Sequence, residues 1–430
     1  MTLADAIAAL QQEHMALTKS GSADPKKWAD LESKYLRLLN RHPDRPEILF
    51  QAGTMFMQRD QRGLAIALIE RSVKCGALGA GPYLNIAAAY KQDHNDDKAL
   101  EYYQLALEEA EKNPTPGAVN TDKAFALHGI GSLYINAGEP DKCIEWSDKA
   151  LAVDPNDRHA RWNKGLACLE KGDFAQGFEI YDTAGFDPTG MMPTERKLKT
   201  YGGLPKWDGT PGKTVVTYGE QGVGDEIMFC SMLPDLLKDC KVIIDCDKRI
   251  EKMLKRSFPE AEAVYPTSDV NAPFPWKADH KIDAYVPMGS LGRHYRKKAS
   301  DFPKVAYLKA DPIKIDEWAQ HVATLPRGLN VGISWAGGLK KTRFDKRTIV
   351  MDHLEPILKT KGVNFISLQY HPWAAEECGR VGSKFNVPIY HWGDAIAQYE
   401  DTAGLLMNLD LVITVNTSLH HLAGSLGVKQ

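Results

Sequence analysis

A spacing of small and aromatic residues recurs along the first half of the chain with a period of 34 residues. In each copy a small residue is followed, three positions later, by an aromatic residue or one of similar character. The copies are Gly53, Phe56, Ala65 and Ser72; Ala87, Tyr90, Ala99, Tyr103 and Ala106; Gly131, Tyr134, Cys143, Ala150 and Pro155; and Gly165, Cys168, Gly177, Tyr181 and Ala184. This period predicts stacked helical hairpins, in which small residues lie where two antiparallel helices touch. A generic helical bundle is the alternative, which two intervals of 34 residues disfavour.

One interval between copies is 44 residues long, and its extra residues, 112–120, contain the Pro and Gly of an inter-repeat loop. The pattern resembles the tetratricopeptide repeat (TPR) family over residues 12–188, and the residues before the first copy resemble a divergent capping hairpin. The resemblance implies an array over residues 1–188 that binds peptides or neighbouring subunits. Such an array performs no chemistry by itself.

Chain length, net charge and cysteine content limit what the rest of the chain can be. Its 430 residues exceed the roughly 250–300 at which single cores stop growing, so a second domain is expected. Net charge is −3, which gives no sign of a nucleic-acid partner. The seven cysteines include no C-x-x-C pair, so we expect buried, reduced thiols in a cytoplasmic protein. The N-terminus does not resemble a signal peptide, and no apolar run is long enough for a membrane span.

The pattern changes after Pro188. Residues 189–212 are rich in Gly, Pro and Lys and are interpreted as a linker. Short apolar runs then alternate with helix-length segments, which predicts parallel sheets built from βαβ units. The predicted strands are Thr214–Tyr218, Lys241–Asp245, Ala284–Val286, Asn330–Trp335, Asn364–Leu368, Pro388–Trp392 and Leu411–Val415. A helix within 309–328 divides them into two Rossmann-like domains, residues 213–308 and 309–430.

The first of these strands runs into a glycine-rich turn, Gly219-Glu-Gln-Gly222-Val-Gly224-Asp225, and a helix follows. Such glycines let the backbone approach a ligand, and helix N-termini favour anions. The spacing is not G-x-G-x-x-G, which disfavours a nicotinamide-dependent oxidoreductase. Taken alone, the motif favours a tight turn in which Asp225 is the N-cap.

Two further motifs follow predicted strands of the second domain. Five basic residues lie between Lys340 and Arg347, at the strand end where open α/β sheets bind ligands. They could hold a diphosphate without a metal, or form a solvated charged loop. The last strand runs into Asn416-Thr417-Ser418-Leu-His-His421, where good N-capping residues open a helix. A histidine there is more often a packed residue than a functional one.

Together, GEQGVGDEIMF, VGISWAGGLKKTRFDKRT, FISLQ and DTAGLLMNLDLVITVNTSLHHLAGSLG resemble bacterial TPR proteins whose C-terminal region is similar to family 9 glycosyltransferases, the heptosyltransferase-like group. The resemblance covers residues 200–430. It implies a GT-B pair of Rossmann-like domains, the first on the acceptor side and the second on the donor side. The implied reaction transfers a sugar from a nucleotide-sugar to a protein or glycan that the TPR array recruits, with no metal or other cofactor.

The resemblance also implies residue roles. Asp225 would be the general base on the acceptor hydroxyl. The implied donor-binding residues are Gly222, Gly224, Trp335, Lys340, Lys341, Arg347, Gln369, Asn416, Thr417, Ser418 and His421.

Two departures from the family leave an alternative open. Asn416 stands where the family commonly has Asp, which removes a charge from the implied donor site. The chain ends at Gln430 after about four predicted strands of the second domain, against about six in a full Rossmann-like half, so we expect a shortened domain. The alternative is a non-catalytic TPR scaffold with a degenerate transferase region.

Overall fold

The computed structural model describes residues 2–20, 24–112, 119–185, 196, 198–269, 271–337, 344–396 and 398–430, without the side chains of Asp345 and Asp394. Internal contacts divide the chain into two units, Met1–Lys171 and Gly172–Gln430. This division falls inside the stretch that the repeat pattern assigns to the array. The predicted domain boundaries at residues 188, 212 and 308 stay predictions.

The first unit is helical. Its described helices are α1 (Leu3–Lys19), α2 (Pro25–Arg41), α3 (Pro46–Gln58), α4 (Arg62–Lys74), α5 (Gly81–Gln92), α6 (Asp96–Lys112), α7 (Thr121–Asn136), α8 (Pro140–Val153) and α9 (Arg158–Glu170). Side chains of Asp24, Asn120 and Asp157 cap three of them by accepting first-turn N–H groups. Consecutive helices pack against one another from α1 to α9, so the predicted stack of hairpins is confirmed.

The small residues of the repeat lie where the helices of a hairpin touch. A Cβ atom on Gly53 of α3 would lie 3.0 Å from the carbonyl oxygen of Ala65 in α4. The corresponding residues Ala65, Ala99 and Cys143 are all fully buried. Of the predicted inter-repeat loop at 112–120, residues 113–118 lie outside the described residues.

The second unit holds two parallel sheets with helices between their strands. Its strands are β1 (Thr214–Tyr218), β2 (Lys241–Asp245), β3 (Ala263–Tyr265), β4 (Ala284–Pro287), β5 (Leu329–Ser334), β6 (Val363–Ser367), β7 (Ile389–His391) and β8 (Leu411–Thr414). Its helices are α10 (Phe174–Ala184), α11 (Val223–Phe229), α12 (Leu233–Asp239), α13 (Glu251–Ser257), α14 (Gly292–Tyr295), α15 (Pro312–Val322), α16 (Glu355–Leu358), α17 (Ala374–Phe385), α18 (Tyr399–Leu406) and α19 (Ser418–Ser425).

The two sheets have the same topology. The strand orders are β3-β2-β1-β4 and β7-β6-β5-β8, and every pairing is parallel. The order reverses between β1 and β4 and again between β5 and β8, and ligands bind outside the carboxyl ends of strands at such reversals. The predicted strands and fold class are confirmed. Strand β3 was not predicted, although β7, which is equally short, was.

The described residues of the predicted linker pack onto the first sheet. Lys199 is buried, and its Nζ donates to the Asp245 carboxylate at 3.0 Å. Pro205 accepts from the Tyr285 N–H at 3.0 Å, and the Trp207 N–H donates to the Tyr285 carbonyl at 2.8 Å. Residues 205–207 therefore extend the sheet beside β4, and this part of the chain is not a free linker.

Helix α10 packs against α14 and the short 3₁₀ helix Met288–Leu291 of the same unit. The backbone carbonyl of its Tyr181 accepts from Arg196 at 2.7 Å. The Arg196 guanidinium pairs with the Glu220 carboxylate at 2.8 Å, and both side chains are buried. The repeat pattern assigned α10 to the array, whereas these contacts tie it to the turn after β1.

All seven cysteines are free thiols; six are buried and Cys75 is partly exposed. No described helix has the length and apolar composition needed to cross a membrane.

Candidate functional site

The turn after β1 positions Asp225 at the start of α11. Gly222 is the N-cap, and Asp225 is the third residue of the helix, so the expectation that Asp225 itself is the N-cap is wrong. Its carboxylate instead accepts from the Gly222 N–H at 3.1 Å, as the returning half of a capping box. Asp225 therefore still caps the helix, but it does so from the third helical residue and not from the N-cap position.

The pKa of Asp225 is raised. Partial burial is the main cause, while the N–H of Gly222 and the positive charge of Arg347 act in the opposite direction. A carboxylate with a raised pKa binds a proton more tightly, so it is a stronger base. The charge of Arg347 therefore lies close enough to Asp225 to favour its ionised form.

The start of α19 lies directly against the start of α11. A Cβ atom on Gly224 would lie 3.1 Å from the Cα of Ser418, and the hydroxyl of Ser418 accepts from Tyr399 at 3.0 Å. On the other side, a Cβ atom on Gly337 would overlap the Thr417 methyl group. Glycine is therefore needed at both 224 and 337 for the turns after β1, β5 and β8 to meet.

Arg347 and His421 also lie where these turns meet. The guanidinium of Arg347 donates to the backbone carbonyl of Asn416. The pKa of His421 is lowered to about 4, mainly by burial and also by the charges of His420 and Arg347. His421 is therefore neutral at pH 7 and could contribute one hydrogen bond rather than a positive charge.

A pocket of about 210 Å³ lies beside the start of α19. We call it the sheet-edge pocket. It is lined by Arg249, Ser334, Ala336, Gly337, Leu368, Tyr370, Ile396, Tyr399, Thr402, Thr417, Ser418, Leu419 and Leu422. Most of these residues follow strands of the second sheet or belong to α18 and α19, whereas Arg249 comes from the loop after β2.

Two of the predicted donor-binding side chains lie below the surface of the pocket. Trp335 is 1% exposed, packs in the core of the second sheet, and donates from its indole N–H to Glu377 at 2.8 Å. Gln369 is also buried, and its amide oxygen accepts from the Ser334 hydroxyl at 3.0 Å and the Ala336 N–H at 3.2 Å. Both side chains hold the turn after β5 in place and do not line the pocket.

The structure thus brings most of the predicted site together. The residues that meet are Gly222, Gly224, Asp225, Arg347, Asn416, Thr417, Ser418 and His421. Lys340 and Lys341 lie outside the described residues. In the part of the chain that the structure describes, no three His, Cys, Asp or Glu side chains are arranged to hold a metal ion.

Of the thirteen residues that line the pocket, the sequence predicted Thr417 and Ser418 as site residues and missed the other eleven, among them Arg249, Tyr370 and Tyr399. Arg249 and Tyr370 follow β2 and β6 within a few residues, so the rule that ligands bind at the carboxyl ends of strands could have found them. Tyr399 begins α18, and no sequence signal distinguishes it.

The sequence comparisons identify the repeat. Residues 126–157 match the tetratricopeptide repeat family model. Protein FlbA of Caulobacter vibrioides is 25% identical over 397 residues, covering 80% of this chain and 64% of FlbA. Photosystem I assembly protein Ycf3 of Acaryochloris marina is 29% identical over 102 residues, covering 24% of this chain and 57% of Ycf3. The chain therefore spans less than two thirds of the length of either curated relative.

Two solved structures are similar to portions of this chain. MamA from Desulfovibrio magneticus covers 42% of this chain and 93% of its own, with 16% identity and a TM-score of 0.34. A glycosyl transferase family 9 protein from Veillonella parvula covers 52% of this chain and 81% of its own, with 10% identity and a TM-score of 0.42.

Proposed function

We propose that this protein is a metal-independent glycosyltransferase that transfers a sugar from a nucleotide-sugar to an acceptor recruited by the TPR array. The observation that carries the proposal is the meeting of Asp225, Arg347 and the start of α19, where the turns after β1, β5 and β8 come together. These residues come from three separate turns, and each turn belongs to a motif that resembles the family 9 enzymes.

The proposed donor site is the start of α19 together with Arg347. Thr417 is the N-cap, and its side chain does not cap the helix, so first-turn N–H groups can donate hydrogen bonds to an anion. The positive end of a helix and a guanidinium both stabilise the diphosphate as it leaves with the extra negative charge of the broken bond. The sheet-edge pocket beside it supplies apolar and hydroxyl groups for the rest of the nucleotide.

The proposed general base is Asp225. An acceptor hydroxyl oxygen attacks the anomeric carbon of the sugar, its proton passes to the Asp225 carboxylate, and the bond from the anomeric carbon to the diphosphate oxygen breaks. The configuration at that carbon is inverted. The raised pKa of Asp225 supports this role, because it increases the proton affinity of the carboxylate.

A second candidate is a nucleotide-free scaffold protein. Two observations favour it: the Asp225 carboxylate already has a structural partner in the Gly222 N–H, and residue 416 is an exposed Asn. In that case the TPR array would carry the function, and the second unit would be a folded but inactive partner of it.

A ligand screen separates the two candidates. The full chain is heated with ADP, GDP, UDP, CDP and dTDP and with their common sugar conjugates, and the unfolding temperature is recorded. The glycosyltransferase proposal expects stabilisation by one nucleotide family, since a ligand that binds only the folded state raises its stability. Absence of any shift across the whole panel would contradict the enzyme and favour the scaffold.

Two variants test whether the nucleotide binds beside Arg347. Arg347→Gln should reduce the stabilisation by the active nucleotide. Arg327→Gln removes the same charge from an exposed turn before β5, at the opposite edge of the sheet, and should leave the stabilisation unchanged. Equal shifts in both variants would remove Arg347 from the proposed site.

A further inference from the structure

Arg249 is a cation from the first sheet in a pocket otherwise formed by the second. It lies in the loop after β2, and its side chain lines the sheet-edge pocket together with Thr417, Ser418 and Tyr399. The guanidinium carbon lies 5.9 Å from the centre of the Tyr399 ring, and the Tyr399 hydroxyl donates to Ser418. Arg249 therefore lines the same pocket as the start of α19 and lies beside Tyr399.

The guanidinium of Arg249 is fixed by Asp247. Its Nε and Nη2 donate to the two carboxylate oxygens of Asp247 at 2.9 and 2.7 Å, and the Arg249 backbone N–H donates to the same carboxylate at 2.8 Å. Asp247 is fixed in turn, because its N–H donates to the buried Glu226 carboxylate of α11 at 3.0 Å. This chain of bonds holds the guanidinium still before any ligand arrives, which reduces the entropy cost of binding.

One face of this guanidinium is left for a ligand. Among the residues that the structure describes, none accepts a hydrogen bond from the Arg249 Nη1, and the side chain is 52% exposed. An ion pair of this kind on an ordinary surface would contribute little to stability. The edge of the guanidinium that carries Nη1 remains available to donate to a phosphate oxygen beside the pocket.

The size of the pocket indicates which part of a donor it takes. Its volume of about 210 Å³ is below the roughly 300–1,000 Å³ of pockets that enclose a whole small ligand. Only a part of a nucleotide-sugar fits inside. The pocket walls are apolar and aromatic around Leu368, Tyr370 and Ile396, and its charged group is Arg249. A nucleotide base would therefore pack against the apolar and aromatic walls, and a phosphate would lie beside the Arg249 guanidinium.

We propose that Arg249 is a phosphate-binding residue of the donor site, so that the first sheet as well as the second holds the nucleotide diphosphate. The inference rests on the proposed function, since it needs a nucleotide ligand. Arg249 and Arg347 then bind the diphosphate from different turns, one after β2 and one after β5. Asp247 acts as a positioning residue for Arg249.

The test uses the full chain and the nucleoside diphosphate that binds most tightly among ADP, GDP, UDP, CDP and dTDP, with the dissociation constant measured by calorimetry. Arg249→Gln is expected to weaken binding by about tenfold or more, as for loss of a charge-assisted hydrogen bond. Arg249→Lys keeps the positive charge but loses the planar guanidinium. Its dissociation constant should therefore lie between those of wild type and Arg249→Gln. The matched control is Lys248→Gln, which removes the same charge from the neighbouring exposed residue that does not line the pocket, and should change binding less than about twofold.

The outcomes separate this inference from the proposed function. If wild type binds a nucleoside diphosphate and Arg249→Gln binds it as Lys248→Gln does, Arg249 is not a ligand, although the site stands. If wild type binds none of the five, the proposed function fails and this inference fails with it. Unfolding temperatures without ligand check that each variant is folded.

Discussion

Gly224 of α11 lies in backbone contact with Ser418 of α19, and a Cβ atom on residue 224 would lie 3.1 Å from the Ser418 Cα. This contact joins the turn after β1 to the turn after β8, and therefore joins the two sheets at the candidate site. The following predictions test that site and the packing that holds it.

Gly224→Ala should separate the two helices. The added methyl group meets the Cα and Cβ of Ser418, neither of which can move aside as a flexible chain end would. We expect a loss of about 1–3 kcal/mol in the free energy of unfolding, as for other overpacked contacts, and weaker nucleotide binding. Urea unfolding and calorimetry measure the two effects.

The control for this substitution is Gly379→Ala in α17. Nothing lies within 4 Å of a Cβ atom at residue 379, so the same change should stabilise the helix by about 0.5–1 kcal/mol. Equal effects of the two substitutions would show that the contact between α11 and α19 is not tight.

Asp225→Asn should abolish transfer and keep the fold. The amide oxygen can still accept from the Gly222 N–H, whereas it cannot take a proton from the acceptor. Loss of a general base typically costs about 10²–10⁴-fold in rate, which release of the nucleoside diphosphate would measure.

The wild-type rate should also depend on pH. The active form of Asp225 is unprotonated, so the rate should fall as pH drops through its pKa, which lies above the ordinary value of 3.8. Asp316→Asn, which removes an exposed carboxylate on α15, serves as the control and should keep the wild-type rate. A wild-type rate in Asp225→Asn would exclude this residue from the chemistry.

Glu226→Gln should change how stability depends on pH. Burial raises the pKa of Glu226 to about 8 from 4.5, so the folded protein holds a proton that the unfolded chain releases. The stability linked to this proton is complete below pH 4.5 and is lost as the pH rises through about 8. Glutamine has no proton to lose and still accepts from the Asp247 N–H.

Relative to wild type, Glu226→Gln should therefore gain stability between pH 5 and pH 9, by up to about 5 kcal/mol. Urea unfolding at several pH values measures the difference. Glu376→Gln, an exposed substitution on α17, should follow the wild-type curve. A constant difference between Glu226→Gln and wild type at every pH would mean that Glu226 does not titrate in this range.

Arg196→Met should destabilise the second unit strongly. It leaves the buried Glu220 carboxylate without its charge partner, a change that typically costs about 3–5 kcal/mol. Adding Glu220→Gln removes that charge and should recover part of the loss, because an amide oxygen can still accept from the Gly289 N–H. Unfolding followed by tryptophan fluorescence measures both variants; no recovery in the double variant would show that the cost is not electrostatic.

The strands and the meeting of the motifs could be predicted because each rests on a local pattern. Short apolar runs separated by helix-length segments gave seven of the eight described strands, and parallel strands necessarily bring the turns after them to one edge. Strand β3 was not predicted, although it is no shorter than β7. Its position depends on pairing with β2, which local sequence does not encode.

The burial of individual side chains could not be predicted in the same way. Trp335 follows a strand and so has the position of a ligand-binding residue, but its indole turns down into the core towards Glu377. Arg196 and Lys199 read as solvated linker residues because they are charged, and only their distant partners, Glu220 and Asp245, explain why they are buried. Contacts over such sequence separations depend on the fold rather than on any local pattern.

Residues 205–207, which run beside β4, have a consequence for how the protein behaves in solution. The outer strand of a sheet exposes backbone N–H and C=O groups that other chains can pair with, a common route to aggregation. Here the Tyr285 N–H and carbonyl are already bonded to Pro205 and Trp207. Proteolytic cleavage within residues 205–207 would therefore leave β4 as an exposed edge strand that can pair with other chains, while the rest of the sheet stays intact.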